Sequence, residues 1–269
     1  MHDDKAAWHA ARAAVERLGQ GLPVAALGIR SSRTADIARM ARSTGHHAIW
    51  VDLEHSTMSI DTAALICSAA LDLGLAPFAR VPERDYGIIG RLLDGGVLGI
   101  IAPRVETVEE AQDIVAACRF PPFGHRSAIA ALAHLDFKKM PAEQLYETLN
   151  HATVVQILIE SPRGIENAEA IAALPGVDMI GIGTNDLTAE MGLPGQFRHP
   201  EVRKAHEAAI AACRRTRKPL AIGGIADAAY AAELIRLGAA PFLFTGIDTD
   251  LLLGAARDRI GQALASLHS

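Results

Sequence analysis

Lysine is scarce in this chain. Only five occur in 269 residues (Lys5, Lys138, Lys139, Lys204 and Lys218), and none stands at the carboxyl end of an apolar run of strand length. Lys218 precedes such a run and belongs to the opposite end. An enzyme working through a lysine imine, or through pyridoxal phosphate, would normally need a lysine at that edge; electrophilic chemistry here would have to come from a metal. Cysteine is also rare. Cys67, Cys118 and Cys213 are scattered, form no CxxC pair and fall within helix-like patterns. That usage suits buried thiols in a reducing compartment better than disulfides or a metal cluster. Basic charge is not in excess: the formal net charge is -5 and the sequence pI about 6.1, which gives no footing for a nucleic-acid partner. The stretch from Met1 to Leu18 is studded with charge and lacks the apolar core of a signal peptide. No apolar run approaches the roughly 20 residues that a membrane-crossing helix needs. The expectation is a cytoplasmic protein with no membrane partner. No Pro/Gly/Ser-rich linker or shift in composition divides the chain, so residues 1–269 are expected to form one domain.

What is present is a period. Eight short apolar runs read as strands: Val24–Arg30, Ala48–Leu53, Ala76–Val81, Gly99–Pro103, Val154–Ile159, Met179–Gly183, Leu220–Gly224 and Phe242–Gly246. Helical patterns lie between them, at Thr34–Arg42, Ser59–Leu73, Tyr86–Leu93, Val108–Arg119, Gly164–Leu174, Pro200–Arg215 and Ala226–Leu237. Another, Asp250–Leu267, closes the chain, and an amphipathic helix over Lys5–Leu18 precedes it all. Thr107 followed by Glu110 is a capping box that sets the start of the fourth helix. Eight strands alternating with eight helices is the arithmetic of an α/β fold of the (β/α)8 TIM-barrel type. One barrel is preferred to a doubly wound sheet. The segment from Phe120 to Ala152 is too long for an ordinary connection, and local helix plus a loop near the active face is expected there.

In such a barrel the carboxyl ends of all strands share one face, where chemistry takes place. Strand five delivers Glu160 and strand six Asn185 and Asp186; two carboxylates on one edge suit a hard divalent cation. Strand two brings Asp52, Glu54 and His55, strand three Arg80, strand four Arg104, and strand one Arg30 and Ser31. The carboxyl end of strand eight brings Thr245, Asp248 and their neighbours. Singly each has a structural explanation: a strand-end Glu is most often an ion-pair partner, and a lone His a satisfied hydrogen-bonding group. Their gathering on one face favours function. Gly223-Gly224 occupies the place where many barrels cradle phosphate, but a tight turn explains it as well or better.

These residues resemble those of the HpcH/HpaI aldolases, metal-dependent enzymes of 2-oxo acids that include 4-hydroxy-2-oxoheptanedioate and 2-dehydro-3-deoxyglucarate aldolases. The matching segments are Asp52-Leu53-Glu54-His55-Ser56, Arg80-Val81-Pro82, Leu92-Leu93-Asp94-Gly95-Gly96, Pro121-Pro122-Phe123-Gly124-His125-Arg126, Ile159-Glu160-Ser161-Pro162-Arg163-Gly164 and Gly183-Thr184-Asn185-Asp186-Leu187. Met191-Gly192 and His199-Pro200 follow in register, so the likeness spans nearly the whole chain. The resemblance implies that Glu160 and Asp186 hold Mg²⁺, Mn²⁺ or Co²⁺, which pyruvate or hydroxypyruvate chelates. It implies that Arg80 stabilises the enolate, and that His55 works with a water on the metal in proton transfer. Asp94 would support that histidine from an adjacent subunit, with Asp52 close by. Gly183, Thr184 and Asn185 would hold the substrate carboxylate through backbone N–H groups. The implied assembly is a homo-oligomer, a hexamer built as a trimer of dimers, whose C-terminal helix packs on a neighbouring barrel. The small-molecule partners would be a 2-oxo acid and an aldehyde.

The chain also departs from the common pattern. It reads Gly183-Thr184-Asn185-Asp186 where members often read Gly-Pro-Ala-Asp, and Ser161-Pro162 where Thr-Arg is usual. Competing readings are a citramalyl- or malyl-CoA lyase-like activity, an oxaloacetate decarboxylase, and a non-catalytic barrel that binds an oxo acid. No extended basic run offers itself to the phosphates of a coenzyme A thioester.

Overall fold

The computed structural model describes residues 8–267. Its eight strands are β1 (Val24–Ile29), β2 (Ala48–Asp52), β3 (Ala76–Arg80), β4 (Gly99–Ala102), β5 (Val154–Ile159), β6 (Met179–Gly183), β7 (Leu220–Gly223) and β8 (Phe242–Ile247). The helices are α1 (Ala10–Gly19), α2 (Asp36–Ser43), α3 (Ile60–Asp72), α4 (Ile89–Asp94), α5 (Val108–Cys118), α6 (Ala142–Ala152), α7 (Pro162–Ala173), α8 (Thr184–Glu190), α9 (Pro200–Thr216), α10 (Ala228–Leu237) and α11 (Asp248–Ala265). Of the helix expected over Lys5–Leu18, the part from Ala10 onward is found as α1; residues 5–7 lie outside the described residues.

All strands are parallel and form one sheet in the order β7-β6-β5-β4-β3-β2-β1-β8. This is a TIM-type barrel with one loose seam. Between β7 and β8 no ladder forms among the described residues; Ala240 N–H donates to Leu220 C=O at 2.8 Å at the amino-terminal edge. The near-continuous apolar runs are explained by burial on both faces. Outward residues such as Ile49, Val51, Ile100, Ile157 and Ile180 pack beneath helices, while Trp50, Phe78, Ile101 and Leu158 fill the interior. Among the described residues no helix is long and apolar enough to cross a membrane.

Local chemistry sets the helix starts. Thr107 and Glu110 form the expected capping box of α5. Ser161 caps α7 through Gly164 N–H, with Pro162 at the first position where its missing donor costs nothing. At the amino-terminal end of the barrel, Asp178 accepts from Arg12 at 2.6 Å and Arg119 at 2.8 Å, tying α1 over the barrel floor.

The long connection after β4 corrects one expectation. It contains local helix, α6, but packs at the floor and not near the active face: Phe120 N–H donates to Asn150 Oδ1 at 2.8 Å, and Arg119 to the Asn150 carbonyl. The reason is directional. Helix α5 has already carried the chain back to the amino-terminal end, and α6 must feed β5 from there. Phe120, Leu132, Leu135, Leu145 and Leu149 give this segment its own small core.

Candidate active site

Two charged groups face each other across the carboxyl ends of the strands. The first is built on Asp52, which is fully buried. Its carboxylate accepts from Arg80 Nε at 3.0 Å, Arg80 Nη2 at 2.7 Å and Arg30 Nε at 2.6 Å. It also accepts the backbone N–H groups of Glu54 and His55. Burial works against this charge, yet Arg80 and Arg30 outweigh it and hold the Asp52 carboxyl below the usual range. Arg80 Nη1 pairs with Glu54 at 3.1 Å, and its guanidinium lies 5.4 Å from the Trp50 ring centroid. Burial pushes the Glu54 carboxyl up, with Arg80 opposing it. Arg80 is thus held by three of its nitrogens, while each Nη keeps a further N–H for the cavity.

The second group is Glu160 with Asp186. Glu160 is 4 % exposed, and burial, joined by the charge of Asp186, pushes its carboxyl up to about 7. Arg104 partners both acids. It adopts a left-handed backbone (φ 54°) in which its N–H reaches Glu160 Oε2 at 3.0 Å, and its Nη2 reaches Asp186 Oδ1 at 2.8 Å. A non-glycine residue in that conformation costs energy, and such strain concentrates at functional sites. Gly183 is required by crowding, because a Cβ there would collide with the Glu160 carboxylate.

These residues fit a divalent cation. A buried carboxylate whose charge is resisted by burial and by a second carboxylate gains most from a small cation between them. Among the described residues no set of three or more His, Cys, Asp or Glu gathers for a metal. Glu160 and Asp186 place two carboxylates at this edge, the number that a Mg²⁺ site commonly takes from a protein while water and substrate oxygens fill the remaining positions.

The remaining expected residues divide. Gly183 and Asn185 line a cavity of about 820 Å³ together with Arg30, Arg80, Glu160 and Asp186. Thr184 turns its side chain away: its hydroxyl meets His206 Nε2 at 3.2 Å, and His206 Nδ1 meets Tyr230 Oη at 3.3 Å. Burial keeps His206 neutral, its pKa lowered to about 4. Only the main chain of Thr184 is left for a ligand. His55 is half-exposed, with Nε2 3.8 Å from Glu54 Oε2, and Asp52 touches its backbone and not its ring. Asp94 lies at the far end of α4, beside the barrel floor, paired with Arg126 at 2.7 Å. It cannot serve the histidine of its own chain. Arg104, Glu54 and His206 received no role from sequence. Arg104 stood visibly at a strand end, but its left-handed backbone carries no sequence signal in an arginine.

Residues 30–255 match the model of the HpcH/HpaI aldolase/citrate lyase family. The chain is 37 % identical over 249 residues to a 4-hydroxy-4-methyl-2-oxoglutarate aldolase of Hapsidospora irregularis, covering 90 % of this chain and 91 % of the relative. It is 33 % identical to a hydroxypyruvate/pyruvate aldolase of Chromohalobacter salexigens, covering 85 % and 89 %. The crystal structure of an HpcH/HpaI aldolase from Desulfitobacterium hafniense superposes with a TM-score of 0.85 at 26 % identity, covering 92 % of this chain and 95 % of that one. A barrel of this topology, matched over nearly all of its length, belongs to the HpcH/HpaI aldolase/citrate lyase family.

Proposed function

We propose that this chain is a class II aldolase that cleaves or forms 4-hydroxy-2-oxo acids from pyruvate, or hydroxypyruvate, and a carbonyl acceptor. The observation that carries the reading is the buried Glu160 carboxylate, with the partly exposed Asp186 beside it, facing Arg80 across one cavity. A divalent cation held by that pair supplies positive charge where the enolate oxygen develops. The chain's own residues do the rest. The main chain at Gly183–Asn185 holds the oxo-acid carboxylate. In cleavage the C4 hydroxyl loses its proton towards His55, the C3–C4 bond breaks, and the electron pair passes through C2 onto the keto oxygen. Arg80, fixed by Asp52 and Glu54, donates to that oxygen as its charge grows. Protonation at C3 then releases pyruvate. The test is loss of the pyruvate methyl proton signal in D₂O with enzyme and Mg²⁺. Trapping of a pyruvate adduct by borohydride would overturn the reading, since it would require a lysine imine.

Arg80→Lys is expected to lower kcat by about a hundredfold or more, matching the roughly 3–4 kcal/mol that one such donor contributes in a transition state. Lysine keeps the charge but cannot bridge Asp52, Glu54 and the oxygen at once. Circular dichroism should show the fold retained. Turnover close to wild type would reduce Arg80 to a structural ion pair.

A further inference from the structure

Three arginines border the catalytic face, and their donors are not equally spent. Arg80 uses Nε, Nη1 and Nη2 on Asp52 and Glu54. Arg104 spreads over Asp186, Glu83 and Glu190. Arg30 is different: only its Nε is engaged, on Asp52 at 2.6 Å, and neither Nη1 nor Nη2 has a partner among the described residues. Its side chain is 29 % exposed and lines the same cavity as Glu160 and Asp186.

Arg30 is also held in advance. Asp248, at the start of α11, accepts the backbone N–H groups of Arg30 at 2.9 Å, Ser31 at 3.1 Å and Ser32 at 2.7 Å. The backbone of the residue is thereby clamped and its guanidinium pinned at one edge, leaving the Nη1/Nη2 edge for a ligand. The same clamp decides which anion fits. A phosphate would want the loop amides, and Asp248 already fills them. What remains is one planar pair of N–H donors, which matches a single carboxylate in bidentate geometry.

We infer that Arg30 is the specificity residue for a carboxylate on the acceptor fragment, selecting substrates that carry one on carbon 4 over those that lack it. The inference rests on the proposed aldolase reading. The oxo-acid end binds near β5 and β6, beside Glu160 and the Gly183–Asn185 turn. The keto oxygen lies by Arg80. Carbon 4 and its substituents then extend towards β1, where Arg30 shares Asp52 with Arg80.

The test compares cleavage of 4-hydroxy-4-methyl-2-oxoglutarate with cleavage of 4-hydroxy-2-oxopentanoate, which lacks the second carboxylate. Pyruvate release is followed by chromatography in wild type, Arg30→Gln and Arg30→Lys. Wild type is expected to favour the dicarboxylate by about 100-fold in kcat/KM, a charge-assisted bidentate pair being strong and specific. Arg30→Gln should lower that ratio at least about tenfold, and Arg30→Lys should restore part of it. A loss equal for both substrates would overturn the inference, since Arg30 would then act only by holding Asp52. Pyruvate methyl proton exchange by wild type, measured alongside, separates the two readings. Exchange with an unchanged ratio defeats the Arg30 assignment alone, whereas no exchange defeats the aldolase reading and this inference with it.

Discussion

Glu160→Gln is expected to reduce cleavage by at least about a thousandfold, and EDTA treatment of the wild type to do the same. A divalent ion at a developing oxyanion contributes several kcal/mol, and each 1.4 kcal/mol is about tenfold in rate. Glutamine fits the same space and can still accept the Arg104 N–H through its amide oxygen, so the change isolates charge from packing. The fold should survive, because the variant removes a carboxylate whose charge burial resists. Two readouts separate a ligand from a structural acid. Mn²⁺ binding, followed by its electron paramagnetic resonance signal, should weaken sharply in Glu160→Gln and also in Asp186→Asn. Added Mg²⁺ should restore the EDTA-treated wild type and neither variant. Near-normal turnover by Glu160→Gln would remove the metal from the mechanism.

Much of this could be seen in the sequence because parallel strands buried on both faces write themselves as apolar runs, and each run ends where its chemistry begins. Val154–Ile159 and Met179–Gly183 were readable to the residue, and with them the convergence of Glu160 and Asp186. What could not be read was pairing. Asp52 is one acid among several in the sequence, but the fold makes it the common anchor of Arg30 and Arg80. The resemblance assigns Thr184 a main-chain role, and what the sequence does not show is that a histidine 22 residues later draws its side chain inward. That the connection after β4 packs at the floor and not near the active face could not be read either, because length alone does not say which way a chain is travelling. Asp94 shows the same principle in reverse: its position at the end of a returning helix puts it at the floor, remote from His55 of the same barrel.

Truncation after Thr249 is expected to abolish both assembly and activity. In a (β/α)8 barrel each helix returns to cover the strand before it, but α11 does not. Asp248 is its one buried residue, and Leu251, Leu252, Leu253 and Ile260 are 47, 73, 50 and 62 % exposed. The strand it would have covered is left bare: Leu243 on β8 is 38 % exposed, where the outward residues of β2, β4 and β6 are fully buried. We expect the uncovered strand face of one copy to take the uncovered apolar helix of another, as a swapped element. An obligate interface of that kind buries more than about 2,000 Å² and is largely apolar. The truncation spares Asp248, so the clamp on Arg30 to Ser32 persists and lost activity cannot be assigned to it. Activity should fall with assembly because His55 lacks the support that Asp94 would bring from a second barrel. Light scattering of the full chain should report an oligomer, with a hexamer of three dimers as the expected state, and the truncated chain a monomer. Mixing inactive Asp94→Asn with inactive Arg80→Lys under subunit exchange should regain turnover, since one site in a mixed pair then receives both native residues. A fully active monomer at micromolar concentration, or no recovery on mixing, would show that each barrel completes its own site.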